Sequence, residues 1–204
     1  MLGAIGVVLG LLVAPMVSTA PVVRPIKKEA LLVGDSVMSI LLHTDAALTL
    51  LEKEHPFLLR SVPCQRLIFE GCKPIAKDSS LKMLQMNKGK FSKVVVVGTG
   101  YNDLDDANFA RAVREITSEA KLQGVQVLWL TYRQAGNVRM KSVSYNRQLF
   151  ELAKKIDNLH ILRWCDISNG HPEWFTADSV HMNATGGLAL AKAISAAIGQ
   201  LTTT

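Results

Sequence analysis

The sequence predicts a doubly wound α/β domain, five parallel strands with helices on both faces, and three observations predict it. Short apolar runs alternate with stretches whose apolar residues recur at helical spacing, the pattern of right-handed β-α-β crossovers. Val94–Val97 is a run of four valines, which fits a strand buried on both faces of a parallel sheet. Two of the runs end in short turns, Gly34-Asp35-Ser36 and Gly98-Thr99-Gly100, at the carboxyl ends of strands where such folds form their sites.

The elements follow in order. Ala30–Val33 is the first strand and enters Gly34-Asp35-Ser36. From Val37 to Leu51, Met38, Leu41, Leu42, Ala46 and Leu50 fall at helical spacing, so one helix is expected there. Phe57–Val62 reads as the second strand, residues 63–77 as irregular, and Ser79-Ser80 as the cap of a short helix ending at Met86. After the valine strand, Asp105 or Asp106 opens a helix that runs to Leu122 and is ended by Gly124. Val125–Thr131 is a fourth strand. Ser142–Ile156 is a helix with Leu149, Leu152 and Ile156 inward, and Leu159–Trp164 is the fifth strand. An alanine-rich amphipathic helix, Ala184–Ile198, closes the chain.

The 204 residues suit one well-cored domain, residues 24–204, behind an N-terminal extension. Residues 2–23 carry no charge, which fits a signal peptide or a single membrane anchor over residues 1–23. Ser18 and Ala20 make a small-x-small cleavage pattern that favours export. Pro21, the missing basic residue before the run, and Arg24, Lys27 and Lys28 after it argue the other way. The expectation is a protein exported or anchored on the outside of the cell, with membrane association possible through residues 2–23. The net charge of +6 would suit an anionic envelope surface. Because Lys and Arg are scattered and not interleaved with aromatics, nucleic acid is not an expected partner. Cys64 and Cys72 could close a short disulfide loop in an oxidising compartment, the alternative being three reduced thiols with Cys165. No Cys/His spacing matches a metal site, and no cofactor is expected.

The candidate chemistry is nucleophilic acyl transfer. Ser36 stands where a strand turns into a helix, so its hydroxyl can project and its backbone N–H can face an oxyanion. A serine needs a base, and His181 is the candidate. Asp178 lies three residues earlier, placed to hold the imidazole tautomer. Asn102, after the glycine turn, could donate its amide to the oxyanion. Asp35 is expected to fix the turn by hydrogen bonding, and Asp103 to cap the following helix. The competing readings are a helix cap for Ser36, an Asx turn for Asn102 and an ordinary surface loop for Asp178 and His181. His43, His55 and His160 read as packing or surface residues, and His171 lacks an acid at the right spacing. Trp129 reads as core. Tyr101 and Trp174, with Phe175, could line a substrate pocket.

These residues resemble a known family. Gly34-Asp35-Ser36-Val37, Gly100-Tyr101-Asn102-Asp103 and Asp178-Ser179-Val180-His181 are similar to the first, third and fifth blocks of SGNH (GDSL-like) hydrolases. Trp174-Phe175 ahead of the Asp-x-x-His order resembles the SGNH domains of bacterial peptidoglycan O-acetyltransferases. The resemblance implies a flavodoxin-like three-layer α/β/α sandwich (the SGNH hydrolase fold) that works on ester-linked acyl groups without a metal. It implies Ser36 as nucleophile, His181 as base, Asp178 as acid and Asn102 as an oxyanion donor. The second block departs from the pattern: Ser61-Val62-Pro63-Cys64-Gln65-Arg66-Leu67 has no glycine. By register, the backbone N–H of Cys64 takes the missing glycine's place in the oxyanion hole, and a Cys64–Cys72 bridge would stiffen that loop. The expected activity is a serine esterase for short, acetyl-like acyl groups on a small molecule, lipid or glycan. The alternatives are an O-acyltransferase of envelope glycans or glycolipids, and a catalytically silent envelope-binding module.

Overall fold

The computed structural model describes residues 27–201; the expected leader over 1–23 lies outside them. Strands β1 (Lys28–Gly34), β2 (Phe57–Ser61), β3 (Phe91–Gly98), β4 (Gln126–Leu130) and β5 (Leu159–Leu162) form one parallel sheet in the order β2-β1-β3-β4-β5. Helices α1 (Asp45–Glu54), α2 (Ser80–Met86), α3 (Asp106–Leu122), α4 (Arg139–Ala153), α5 (Trp164–Asn169) and α6 (Ala184–Leu201) connect and cover it. This is the flavodoxin-like order, with its switch point between β1 and β3.

The valine run shows why the sheet lies in the middle. Val94 and Val96 point into one apolar layer with Leu128, Leu190 and Ile194, while Val95 and Val97 point into the other with Trp129, Phe109 and Ile116. All four valines are at most 1% exposed. Full burial of such a side chain is worth roughly 1.5–3 kcal/mol, so neither face could be left open. In register, Gly34 pairs with Ser61 on one side and with Gly98 on the other. The loops leaving β1, β2 and β3 therefore start at one level of the carboxyl edge.

Three elements differ from the sequence reading. The single helix expected from Val37 to Leu51 is a 3-10 helix, Met38–His43, followed by α1. Thr44, with φ −131° and ψ 90°, separates them. Three residues per turn in the first piece align Met38, Leu41 and Thr44 toward the interior, and α1 continues that line with Ala47 and Leu51. Leu42 and Ala46, which share that helical spacing, are exposed, because the 3-10 turn and the extended Thr44 shift the phase of the apolar face. Trp164 does not extend the fifth strand but opens α5, where Asp166 and Ile167 donate their N–H groups to the Arg163 carbonyl. Finally, α4 starts three residues before Ser142 and ends before Ile156. Its first turn carries an exposed Met140, and its Lys141 donates to the carbonyls of Tyr101 and Asp103, so apolar spacing does not mark it.

Among the described residues no helix is long and apolar enough to cross a membrane.

Candidate active site

Ser36 occupies the turn between β1 and the 3-10 helix. Its hydroxyl does not cap a helix. It lies 2.9 Å from His181 Nε2, across 145 residues of sequence. His181 Nδ1 lies 2.5 Å from Asp178 Oδ2. A carboxylate only accepts, so Nδ1 carries the proton and Nε2 is left to accept from the Ser36 hydroxyl. The three groups form one continuous relay.

The loop that carries Asp178 and His181 is shaped by its own hydrogen bonds. Asp178 Oδ1 accepts from the Thr176 hydroxyl and from the backbone N–H groups of Val180 and His181, each at 2.9 Å. Phe175 and Met182 form an antiparallel bridge across its base, and Thr176 donates its N–H to the His181 carbonyl. Ser179, with φ +61°, makes the reversal. Desolvation works to raise the Asp178 carboxyl, but the bonds from the His181 ring, the two backbone N–H groups and Thr176 outweigh it and hold the group well below the usual carboxylate range.

Asp35 is the hub of the other half. Fully buried, it accepts from Val37 N at 3.0 Å and from Gly100 N and Tyr101 N at 3.2 and 3.3 Å. Its carbonyl accepts from the Ser39 and Ser61 hydroxyls. The turn of Ser36 is thereby bolted to the end of β2 and to the loop after β3. Burial pushes the Asp35 carboxyl up to about 6, the three backbone donors offsetting part of it. Gly100, at φ +144°, lets its backbone sit against Tyr132: a Cβ there would lie 2.3 Å from the phenol oxygen.

Asn102 and the second-block loop are tied to each other. Asn102 Nδ2 donates to the Gln65 carbonyl at 3.3 Å, and Arg66 Nε donates to the Asn102 carbonyl at 3.1 Å. Cys64, just before them, has φ +66°, in the left-handed region that glycine occupies freely and other residues enter at a cost of about 1–2 kcal/mol. The residue in the expected glycine position therefore adopts a glycine conformation, and it is disulfide-bonded to Cys72.

Other expectations fare differently. Asp103 does not cap α3; Asp105 does, accepting from Asn108 N at 2.8 Å. The Asp103 carboxylate is buried and accepts from Leu67 N, and desolvation raises it to about 7. His171 does have an acid partner, Glu173, two residues on at 2.8 Å. That pairing, and stacking on Trp174 at 3.8 Å, engage the ring. Tyr101 accepts from the Arg133 N–H through its hydroxyl and lines, with Val37, Met38, Tyr132, Trp164 and Leu190, a cavity of about 10 Å³. His55 and His160 bond to Ser195 and Gln126 as structural side chains. Sequence reasoning passed over Gln65, Arg66, Arg133 and Lys141. The last three donate to backbone carbonyls 35 to 46 residues away, and Gln65 bonds to Asp78 and Ser80, so no local pattern marks them. Among the described residues no cluster of His, Cys, Asp and Glu could hold a metal ion.

No family model matches the chain. In sequence, 45 residues are 40% identical to O-acetyltransferase OatA of Staphylococcus aureus, a match covering 22% of this chain and 8% of that protein's length. In structure, the chain resembles the C-terminal catalytic domain of Streptococcus pneumoniae peptidoglycan O-acetyltransferase A (TM-score 0.65, 19% identity, 87% of this chain and 96% of that one). It is also similar to TesA (TM-score 0.66, 17% identity, 85% and 99%) and to the esterase EstA of a Pseudoalteromonas species (0.64, 11%, 87% and 100%). The chain thus has the SGNH hydrolase fold, similar to the catalytic domain of a bacterial O-acetyltransferase, with Ser36, His181 and Asp178 linked at the carboxyl edge of its sheet.

Proposed function

We propose that the protein is a serine esterase of the SGNH type, acting through an acyl-enzyme on Ser36. The single observation that carries the reading is the relay from the Ser36 hydroxyl through His181 to Asp178, at 2.9 and 2.5 Å. Ser36 Oγ attacks the ester carbonyl carbon while its proton passes to His181 Nε2. Asp178, kept ionised by its hydrogen bonds, stabilises the imidazolium so formed. The tetrahedral oxyanion is met by the Ser36 N–H, by the Cys64 N–H and by an Asn102 N–H not used on Gln65. Collapse expels the alcohol, which takes the proton from His181. Water then repeats the cycle and releases the acid.

A second reading is favoured by the likeness to the O-acetyltransferase domain. In it, the hydroxyl of an envelope glycan or glycolipid replaces water in the second half-reaction. The Cys64–Cys72 disulfide suits an oxidising compartment and supports action outside the cell. A silent binding module would have no need of a complete relay. With p-nitrophenyl acetate, Ser36→Ala is expected to lower turnover by roughly 10⁴-fold or more with an unchanged circular dichroism spectrum. Wild-type-like turnover in that variant would rule the mechanism out. Adding a soluble sugar acceptor separates the two readings: an acetylated sugar supports transfer, and hydrolysis alone at saturating acceptor supports the esterase.

A further inference from the structure

Arg133 is a cation in an unusual place. It follows β4 on the carboxyl edge of the sheet and is 7% exposed, yet its partners are two carbonyls and an aromatic face, and none is a carboxylate. Nε donates to the Ser179 carbonyl at 2.9 Å and Nη1 to the Ser168 carbonyl at 2.5 Å. Its Cζ stands 3.7 Å from the centroid of the Phe175 ring. Burying a charge without a counter-ion is costly. A neutral amide could satisfy two carbonyls at lower cost, so the retained guanidinium calls for an account.

The account lies in what those partners are. Ser179 sits between Asp178 and His181 and makes the left-handed reversal at φ +61°. Phe175 forms the bridge to Met182 at the base of the same loop. One planar group therefore holds the crest of the loop and its base together and ties both to α5 through Ser168. The backbone of Arg133 is fixed independently: its N–H donates to the Tyr101 hydroxyl at 2.8 Å. The preceding Tyr132 is locked on both backbone groups by Asn146, at 2.7 and 2.8 Å. Three residues on, Gly136 at φ +55° lets the same segment pack against the loop. A Cβ at Gly136 would lie 2.5 Å from the Asp178 carbonyl oxygen. The residues after β4 thus form a cradle for the Asp178–His181 loop, and its one charged member reaches across that loop.

We propose that Arg133 is a positioning residue for the relay: its forked guanidinium sets the Asp178–His181 loop at the height where Nε2 meets the Ser36 hydroxyl. This rests on the serine-esterase reading, though its geometric part does not need turnover. A guanidinium suits the task because its donors are fixed in one plane that also stacks on a ring, whereas an ammonium is a point donor on a flexible stem.

The test compares Arg133→Met, Arg133→Lys and Ser36→Ala with wild type, reading p-nitrophenyl acetate kinetics and the low-field proton resonance of His181 Nδ1–H. Arg133→Met is expected to lower kcat about 10- to 100-fold, the scale of a roughly 1 Å misplacement of reacting groups, with KM little changed and the resonance lost or broadened. Arg133→Lys, which keeps the charge and one donor, is expected to recover part of kcat and part of the resonance. Ser36→Ala should keep the resonance while losing turnover. Wild-type kcat and an unshifted resonance in Arg133→Met overturn the proposal, and so does a lowered kcat with the resonance unmoved. If Arg133→Met fails to fold, the Lys variant decides by the same criteria. If wild type shows no turnover, the esterase reading falls, and the resonance alone decides whether Arg133 sets the loop.

Discussion

Asp35 precedes the serine, Asp178 holds the histidine that meets it, and the two carboxylates face opposite fates. Both accept backbone N–H bonds, Asp35 from three groups and Asp178 from two plus a hydroxyl and an imidazole. Yet Asp35 is raised to about 6 and Asp178 is held well below the usual range. The difference is the balance between lost water and donors. Asp35 is fully buried, and three backbone donors only partly offset its desolvation; Asp178 has a side chain 48% exposed, and the bonds from the His181 ring, two backbone N–H groups and Thr176 together outweigh its desolvation. One site therefore uses the same residue type in two ways. In the proposed mechanism Asp178 has to stay charged to support an imidazolium, and it lies at the surface with a partner that can share its charge. Asp35 needs only to collect N–H groups from two loops, and does so where its charge is least comfortable.

Breaking the Asp178 side should cost most. Asp178→Asn keeps the shape of the loop but offers an N–H to the imidazole, or an acceptor without charge, and favours the wrong tautomer. We expect kcat to fall by about 10³- to 10⁴-fold with the fold retained by circular dichroism. A loss under tenfold would mean that His181 is oriented by something other than this carboxylate.

The Cys64 loop sharpens the contrast from the side of Asp35. Cys72→Ser removes the disulfide that closes on a residue in the left-handed region, and Cys64 is then free to relax away from φ +66°. Activity is expected to drop by about tenfold, well within the 10²- to 10³-fold cost of losing an oxyanion donor outright. The double variant Cys64→Gly/Cys72→Ser should recover most of it, because glycine holds that backbone conformation at little cost. Equal activity in all three proteins would remove Cys64 from the oxyanion hole.

The effect that leaves turnover aside concerns stability and pH. A carboxyl raised on folding binds its proton more tightly in the native state. Its contribution to stability is full below the unfolded value near 3.8 and is lost as pH rises through the folded value. For Asp35 and Asp103 that window runs from about 4 to about 6 and about 7 respectively. Asp178 works the other way, its contribution being present above about 4 and lost as pH falls below it. Urea unfolding should therefore show the wild type losing stability from pH 4 to 7. Asp103→Asn, which can still accept the Leu67 N–H, is expected to flatten that decline by roughly 1–4 kcal/mol. An identical slope in both proteins would mean that Asp103 is not buried as described.

Much of this arrangement was legible in the chain because it is written locally. Four valines announce a strand covered on both faces, and a strand running into Gly34-Asp35-Ser36 announces an edge site. Asp178 and His181 are three residues apart, and their pairing needs only one loop. What the chain does not show depends on distance in sequence or on fine geometry. The break at Thr44 turns on whether an N–H bonds three or four residues back, which apolar spacing samples too coarsely. Trp164 continues an apolar run, and only the turn at Arg163 takes it into a helix. Arg133 is a single arginine after a strand, and its meaning appears when Ser179, 46 residues later, is brought under it. Register with β2 points to Cys64 for the second-block position, but nothing in a cysteine signals its left-handed backbone.

The central claim is that the Ser36 hydroxyl is an activated nucleophile, and covalent capture tests it most directly. Full-length protein treated with a fluorophosphonate, followed by intact mass and peptide mapping, should gain one phosphonyl group on Ser36. The Ser36→Ala variant should gain none, and Asp178→Asn should react far more slowly than wild type. Folded wild-type protein that gains no mass, or that is modified at another residue while Ser36 stays free, would contradict the account.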